Sequence, residues 1–192
     1  MRLFSGLYDK VLGWSGHRYA PRYLAILSFA ESSFFPVPPD VMLAPMVLAK
    51  PDKGWYFALL TSVASVLGGV AGYLIGLYAF DLIAPFMKEL GYWDSYLTIK
   101  DWFDEWGFWA VFLAGFSPIP YKIFTIGAGA VALSFFPFLI ASAIGRSARF
   151  FLVAAIIIFG GENMEHLLKK YIDIIGWTVV ALIVGFGLFK LI

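Results

Sequence analysis

Apolar residues in this chain come in long blocks, parted by short clusters where charged residues and prolines gather. A hydrocarbon layer about 30 Å thick is crossed by roughly 20 helical residues. The block from Trp55 to Phe80 meets that length without a charge. A second block, Phe135 to Phe159, is as long and carries Arg146 and Arg149 in its middle, and a third runs from Ile172 to Leu191 with Lys190 near its end. Three spanning helices are expected. Two shorter segments mix the classes. Arg2 to Trp14 sets Leu3, Leu7 and Leu12 among Arg2, Asp9 and Lys10, a pattern suited to a helix lying on the interface. Tyr92 to Trp106 interleaves Trp93, Tyr96, Trp102, Phe103 and Trp106 with Asp94, Lys100, Asp101, Asp104 and Glu105, as in an aromatic belt at headgroup level.

Two apolar stretches do not fit the spanning template. Tyr23 to Ala49 is broken by Pro36, Pro38, Pro39 and Pro45, and Phe108 to Leu133 by Pro118 and Pro120. Proline removes a backbone donor and disrupts a helix. Non-helical backbone at membrane depth survives only when protein or a watery cavity covers it. Each stretch is therefore expected to be a re-entrant hairpin shielded from lipid.

The two breaks match each other. FFPVPPD (34–40) aligns with FSPIPYK (116–122), bringing Pro36 onto Pro118 and Pro38 onto Pro120, and ASVLGGVAGYL (64–74) aligns with ASAIGRSARFF (141–151). The core thus divides into two repeats of hairpin plus span, about 23–80 and about 108–160, within a core of 20–160. A hairpin that does not cross leaves one crossing per repeat, so the second repeat starts from the opposite side. That is inverted topology, in which broken helices meet near the midplane to form a substrate site. The expected fold is an all-α membrane protein: an inverted repeat of re-entrant hairpin and transmembrane helix in a single membrane domain, with an interfacial N-terminal helix (1–19) and C-terminal helices (161–192).

The repeats differ in their charges. Asp40 falls opposite Lys122, while Gly69 and Gly72 fall opposite Arg146 and Arg149. Gly68, Gly72 and Gly76 form a small-residue face that allows close helix approach. Arg146 and Arg149, three residues apart, project from one side of a helix. With Lys122 they supply three cations to the bundle interior, and the first hairpin supplies Glu31 and Asp40. A charge at membrane depth costs at least a few kcal/mol, so five of them call for partners and a wet cavity. Glu31 also fits a snorkelling or capping carboxylate. Asp40, after Pro38 and Pro39, also suits the N-cap of the returning half-helix. The arginines would serve equally as structural partners of the two acids, Lys122 as a snorkelling cation, and Tyr121 and Thr125 as packing groups.

Composition narrows the function classes. The chain of 192 residues is 61% hydrophobic and 14% charged, far from the soluble balance. A net charge of +1 gives no surplus for nucleic acid. With no cysteine and two distant histidines, His17 and His166, neither a metal nor another cofactor is expected. The first residues, interrupted by Asp9, lack the apolar core of a cleaved signal, so the chain is expected to begin near Met1. No G-x-S-x-G, HExxH or P-loop motif is present, and an enzyme is not expected.

Glu31, FFPVPPD ending at Asp40, GFSPIPYK ending at Lys122, Ala128 with Gly129, and GRSARF (145–150) together resemble the DedA family over roughly residues 20–160. The family shares its core domain with eukaryotic autophagy-related lipid scramblases. The resemblance implies movement of a phosphate-bearing lipid, undecaprenyl phosphate or phosphatidylethanolamine, between leaflets with coupling to protons. It also implies that Glu31 and Asp40 are the embedded, proton-coupling acids. Many members carry arginines in the second hairpin where this chain has Ser117 and Lys122, as in a shorter branch of the family. Arginine is a flat bidentate fork for phosphate and lysine a compact point charge, so lipid identity stays open. A structural or chaperone-like protein and a small-solute or ion transporter are the alternatives.

Arg2, Lys10, Arg18, Arg22, Lys50, Lys53, Lys169 and Lys170 fall on the side of the N-terminus, against Lys88, Lys100 and Lys190 on the other. Cationic loops stay cytoplasmic. The N-terminus is thus expected inside the cell and residues 92–106 outside, in a multi-pass protein of the inner membrane.

Overall fold

A computed structural model describes residues 17–160 apart from Pro36, Pro118 and Ile119. The expected interfacial helix Arg2–Trp14, the expected span Ile172–Leu191, and the break prolines Pro36 and Pro118 lie outside the described residues. Six α-helices follow in order: α1 (Ala20–Ser33), α2 (Asp40–Ala49), α3 (Gly54–Glu89), α4 (Trp93–Phe116), α5 (Tyr121–Ala130) and α6 (Phe135–Gly160). A single 3-10 turn, Pro51–Lys53, leads into α3.

The prolines set the breaks. α1 closes where the N–H groups of Phe34 and Phe35 both bond the carbonyl of Ala30, and α2 starts directly after Pro39. α4 ends at Ser117, whose backbone turns extended (ψ 167°), and α5 starts directly after Pro120. Each helix–break–helix unit is followed by one long helix, α3 or α6.

Two spans of the sequence reading need correction. The helix expected over Trp55–Phe80 runs on to Glu89, giving 36 residues or about 54 Å. Pro85 does not end it, because Asp81 and Pro85 are exposed, so solvent or headgroups can satisfy the carbonyl that proline leaves open. The separate interfacial helix expected over Tyr92–Trp106 is the first half of α4, continuous with the first limb of the hairpin expected over Phe108–Leu133. A change from mixed to apolar composition does not break a helix, and no proline lies between Trp93 and Phe116. Gly91, at φ +75°, makes the turn between α3 and α4, and Phe80 stacks on Tyr96 across it at 4.5 Å.

Among the described residues, α3 and α6 are the two helices long and apolar enough to cross a membrane. Their outward faces are apolar too: Leu59, Val63 and Leu67 on α3 and Ile140, Ile144 and Ile156 on α6 are exposed. A helix apolar on every side belongs in a core or a bilayer.

Two apolar clusters hold the bundle. One joins Leu24 of α1 and Leu43 and Met46 of α2 to Phe57 and Ala58 at the start of α3 and Phe150 and Ala154 late in α6. The other joins Val111 of α4 and Tyr121 and Ala128 of α5 to Tyr73 later in α3 and Phe138 early in α6. α3 therefore leaves the first cluster for the second while α6 does the reverse, and the two helices run antiparallel. Ring contacts mark both ends: Trp55 stacks on Phe151 at 5.9 Å, and Tyr73 lies 4.8 Å from Phe138.

Glycines permit the closest approaches. A Cβ on Gly68 would lie 2.2 Å from the carbonyl oxygen of Phe29 in α1, and one on Gly145 2.6 Å from that of Phe112 in α4. Gly145 is the aligned counterpart of Gly68, so each long helix meets the first helix of the helix–break–helix unit before it, α1 or α4, backbone to backbone. Further along, a Cβ on Gly76 would meet the carbonyl of Ile126 at 2.0 Å, and one on Gly129 that of Tyr73 at 1.9 Å. The face formed by Gly68, Gly72 and Gly76 thus receives two helices in turn, α1 and then α5.

Candidate functional site

Polar side chains collect where the two clusters leave off. Ser28 and Ser32 lie one turn apart on α1, Thr61 and Ser65 one turn apart on α3, and all four are fully buried. Ser28 donates to the carbonyl of Thr61, Thr61 to that of Phe57, and Ser32 and Ser65 share a hydrogen bond of 2.7 Å. These hydroxyls stitch α1 to α3, and those of Ser32 and Ser65 also meet α6.

Arg146 enters this layer. Its Nη2 donates to the Glu31 carboxylate at 2.6 Å and to Ser32 at 3.2 Å, and its Nε donates to Ser65. Its guanidinium is packed between two rings, Tyr121 at 4.8 Å and Phe150 at 4.7 Å. The Arg146 and Glu31 side chains are only 3% and 12% exposed. A charge so enclosed survives by being both paired and hydrogen-bonded.

One turn on, Arg149 forms the second pair, donating from Nη2 to Asp40 at 2.7 Å and from Nη1 to the carbonyl of Ser117. A single side chain thus ties the first residue of α2 to the break between α4 and α5. This pair is more open, at 19% and 23%, and less complete. Asp40 Oδ1, Arg149 Nε and Ser117 Oγ, with Arg149 touching both of the other residues, are buried without a hydrogen-bond partner. An orphaned buried polar group costs about 1–3 kcal/mol. Three around Arg149 describe a place suited to more polar atoms than the chain supplies.

Four of the five charges singled out in the sequence meet here: Glu31 with Arg146, and Asp40 with Arg149. Asp40 is not the N-cap of α2. Pro39 holds that position, and Asp40, in the first turn, turns its carboxylate to Arg149. Lys122 stands apart, partly buried, its Nζ at a long 3.5 Å from the carbonyl of Phe34 in the first break. Among the described residues it makes no ion pair.

The aligned glycines explain the asymmetry. Space above Gly69 is filled by the Tyr121 hydroxyl, 3.0 Å from where a Cβ would be, and space above Gly72 by Thr125. Thr125 also donates toward the carbonyl of Ser32 at 3.3 Å. Where α6 sends arginines to α1 and α2, α3 yields room to α5. Ser32 and Ser65 escaped the sequence reading. The available signal was a pair of hydroxyls one turn apart on each of two otherwise apolar helices.

The chain matches the VTT domain over residues 37–159. An uncharacterized protein of Haemophilus influenzae is 48% identical to it over 184 residues, 96% of both chains. An uncharacterized protein of Histophilus somni is 47% identical over 180 residues, 94% of both chains. No solved structure matches it. With the VTT domain covering most of its length and two apolar helices of spanning length, the chain belongs to the DedA family of membrane proteins.

Proposed function

We propose that the protein moves a phosphate-bearing lipid between membrane leaflets, and that the pairs Glu31–Arg146 and Asp40–Arg149 form its headgroup site. The observation carrying this reading is the incomplete outer pair. Arg149 keeps an unused donor at Nε beside the unused Ser117 hydroxyl, a donor set suited to phosphate oxygens. Lys122, beside both breaks, would add a third cation while the lipid tail stays in the bilayer.

The two helix–break–helix units act in this reading as re-entrant hairpins of an inverted repeat. The antiparallel course of α3 and α6, and the matching contacts of Gly68 with Phe29 and Gly145 with Phe112, support it. The site then lies near the midplane, reached from either leaflet in turn.

Glu31 and Asp40 compete with phosphate for the arginines. An ionised carboxylate neutralises its arginine, and a protonated one frees it for phosphate. Headgroup binding is thereby linked to protons without a separate energy source. In this reading the protein sits in the inner membrane with its N-terminus in the cytoplasm, as the excess of cationic residues on the N-terminal side supports. Reconstitution into liposomes with a panel of lipids, polyprenyl phosphate and phosphatidylethanolamine foremost, tests the function: at least one should be translocated faster than in protein-free vesicles, with a rate that rises as pH falls. A folded protein that accelerates none of them would leave the ion pairs a purely structural role.

A further inference from the structure

A cationic cavity lies away from the paired arginines, where α1 begins and α2 ends. It encloses about 770 Å³ and is lined by His17, Arg18, Lys50, Asp52, Lys53 and Tyr56 among others. Three separate segments build it: the turn before α1, the end of α2 and the 3-10 turn leading into α3. Among the described lining residues, Arg18 and Lys53 add two cations beside Asp52, and Lys50 lies next to them. Arg18 is held by its neighbour, its guanidinium 4.4 Å from the Tyr19 ring centroid and bonded to the Tyr19 hydroxyl, with Arg22 stacked on the same ring at 5.1 Å. Neither Arg18 nor Lys53 makes an ion pair among the described residues, so both charges remain available to a ligand.

The surroundings identify the ligand. Tyr23, Trp55 and Tyr56 are exposed around this end, and aromatic residues of that kind settle at the headgroup level of a bilayer. Apolar α3 begins at once beyond the cavity. Along that helix, Tyr56 precedes Ser65 by nine residues, about 14 Å of axial rise, so the cavity is separate from the paired arginines. Its volume falls in the range of small-molecule sites and exceeds what a bare phosphate ion fills.

We propose that this cavity binds the phosphate headgroup of an anionic phospholipid from the leaflet on the side of the N-terminal end, at a site distinct from the Arg146–Arg149 site. Arg18 and Lys53 hold the phosphate, Tyr56 borders the glycerol region, and the acyl chains lie along the exposed apolar face of α3. The proposal holds whether or not the protein transports lipid, since it concerns retention rather than translocation.

Native mass spectrometry of the full-length protein, released from detergent with phosphatidylglycerol or phosphatidylcholine, tests it. The wild type should retain phosphatidylglycerol about tenfold better than phosphatidylcholine. The double substitution Arg18→Gln/Lys53→Gln should remove most of that preference, and Lys53→Gln alone part of it. Both residues are on the surface, and size-exclusion elution checks that the variants stay folded. Lys88→Gln, at the far end of α3, should keep the full preference. An unchanged preference in the double variant, or an equal loss in Lys88→Gln, overturns the proposal. Displacement of the lipid by millimolar glycerol 3-phosphate would show a soluble ligand instead and overturn the lipid assignment.

Discussion

Arg146 and Glu31, 115 residues apart in sequence, meet at 2.6 Å in the interior of the bundle, with both side chains almost enclosed. The contact joins α6 to α1, and so joins the second half of the molecule to the first. Removing one partner leaves the other as an uncompensated buried charge, at about 3–5 kcal/mol, whereas removing both with apolar residues of similar volume is far milder. Glu31→Leu and Arg146→Met should each lower thermal stability in detergent sharply, and the double variant should recover most of the loss. Additive losses would mean that the two side chains do not act as a pair.

The outer pair should behave differently. Asp40 and Arg149 are 23% and 19% exposed, less enclosed than the inner pair, so Asp40→Asn should lower the melting temperature less than Glu31→Gln does. Differential scanning fluorimetry on the two purified variants gives the comparison directly.

Glycine positions separate packing from backbone strain. Gly129→Ala places a methyl 1.9 Å from the carbonyl oxygen of Tyr73, which neither helix can avoid without separating. Little folded protein should be recovered. Gly91→Ala meets no neighbour but must hold φ at +75°, at about 1 kcal/mol, and should fold with a slightly lower melting temperature.

How far the sequence reveals this arrangement depends on the range of the interaction. Proline acts on its own backbone, so the breaks before Asp40 and Tyr121 are legible from Pro38 and Pro120 and from their repetition. Glu31, Asp40, Arg146 and Arg149 are conspicuous because charge is costly in an apolar block. Which acid meets which arginine depends on the packing of α6 against α1 and α2, and no local pattern states it. Ser32 and Ser65 stayed hidden for a related reason. A serine in a helix is unremarkable until a partner 33 residues away lies 2.7 Å from it. The junction at Gly107 misled in the opposite direction: the shift from acidic-aromatic to apolar residues suggested two elements, while the backbone, with nothing to stop it, formed one.

Orientation can be read with reporters active only in the cytoplasm. Fused in the loop before Trp93, such a reporter should stay silent, and fused to Ile192 it should also stay silent if the last apolar block crosses. Activity at the first position would reverse the whole topology. Activity at Ile192 alone would show that Ile172–Leu191 does not span.

Proton linkage makes a signed prediction. If protonated Glu31 releases Arg146 toward phosphate, transport should rise as pH falls in the wild type, and Glu31→Gln should flatten that profile in protein that still elutes as a folded species. An unaltered profile would remove Glu31 from the coupling.

The most direct measurement is translocation of a phosphate-bearing lipid in proteoliposomes by the wild type, Arg149→Gln and Lys88→Gln. Arg149 carries the unused donor and ties both breaks together, whereas Lys88 lies at the far end of α3 against the Trp93 ring. The expected result is a rate at least about tenfold lower in Arg149→Gln, equivalent to the roughly 1.4 kcal/mol of one lost charge-assisted hydrogen bond, with Lys88→Gln matching the wild type. Equal rates in all three folded proteins would contradict the assignment of the ion-pair cluster as the lipid headgroup site.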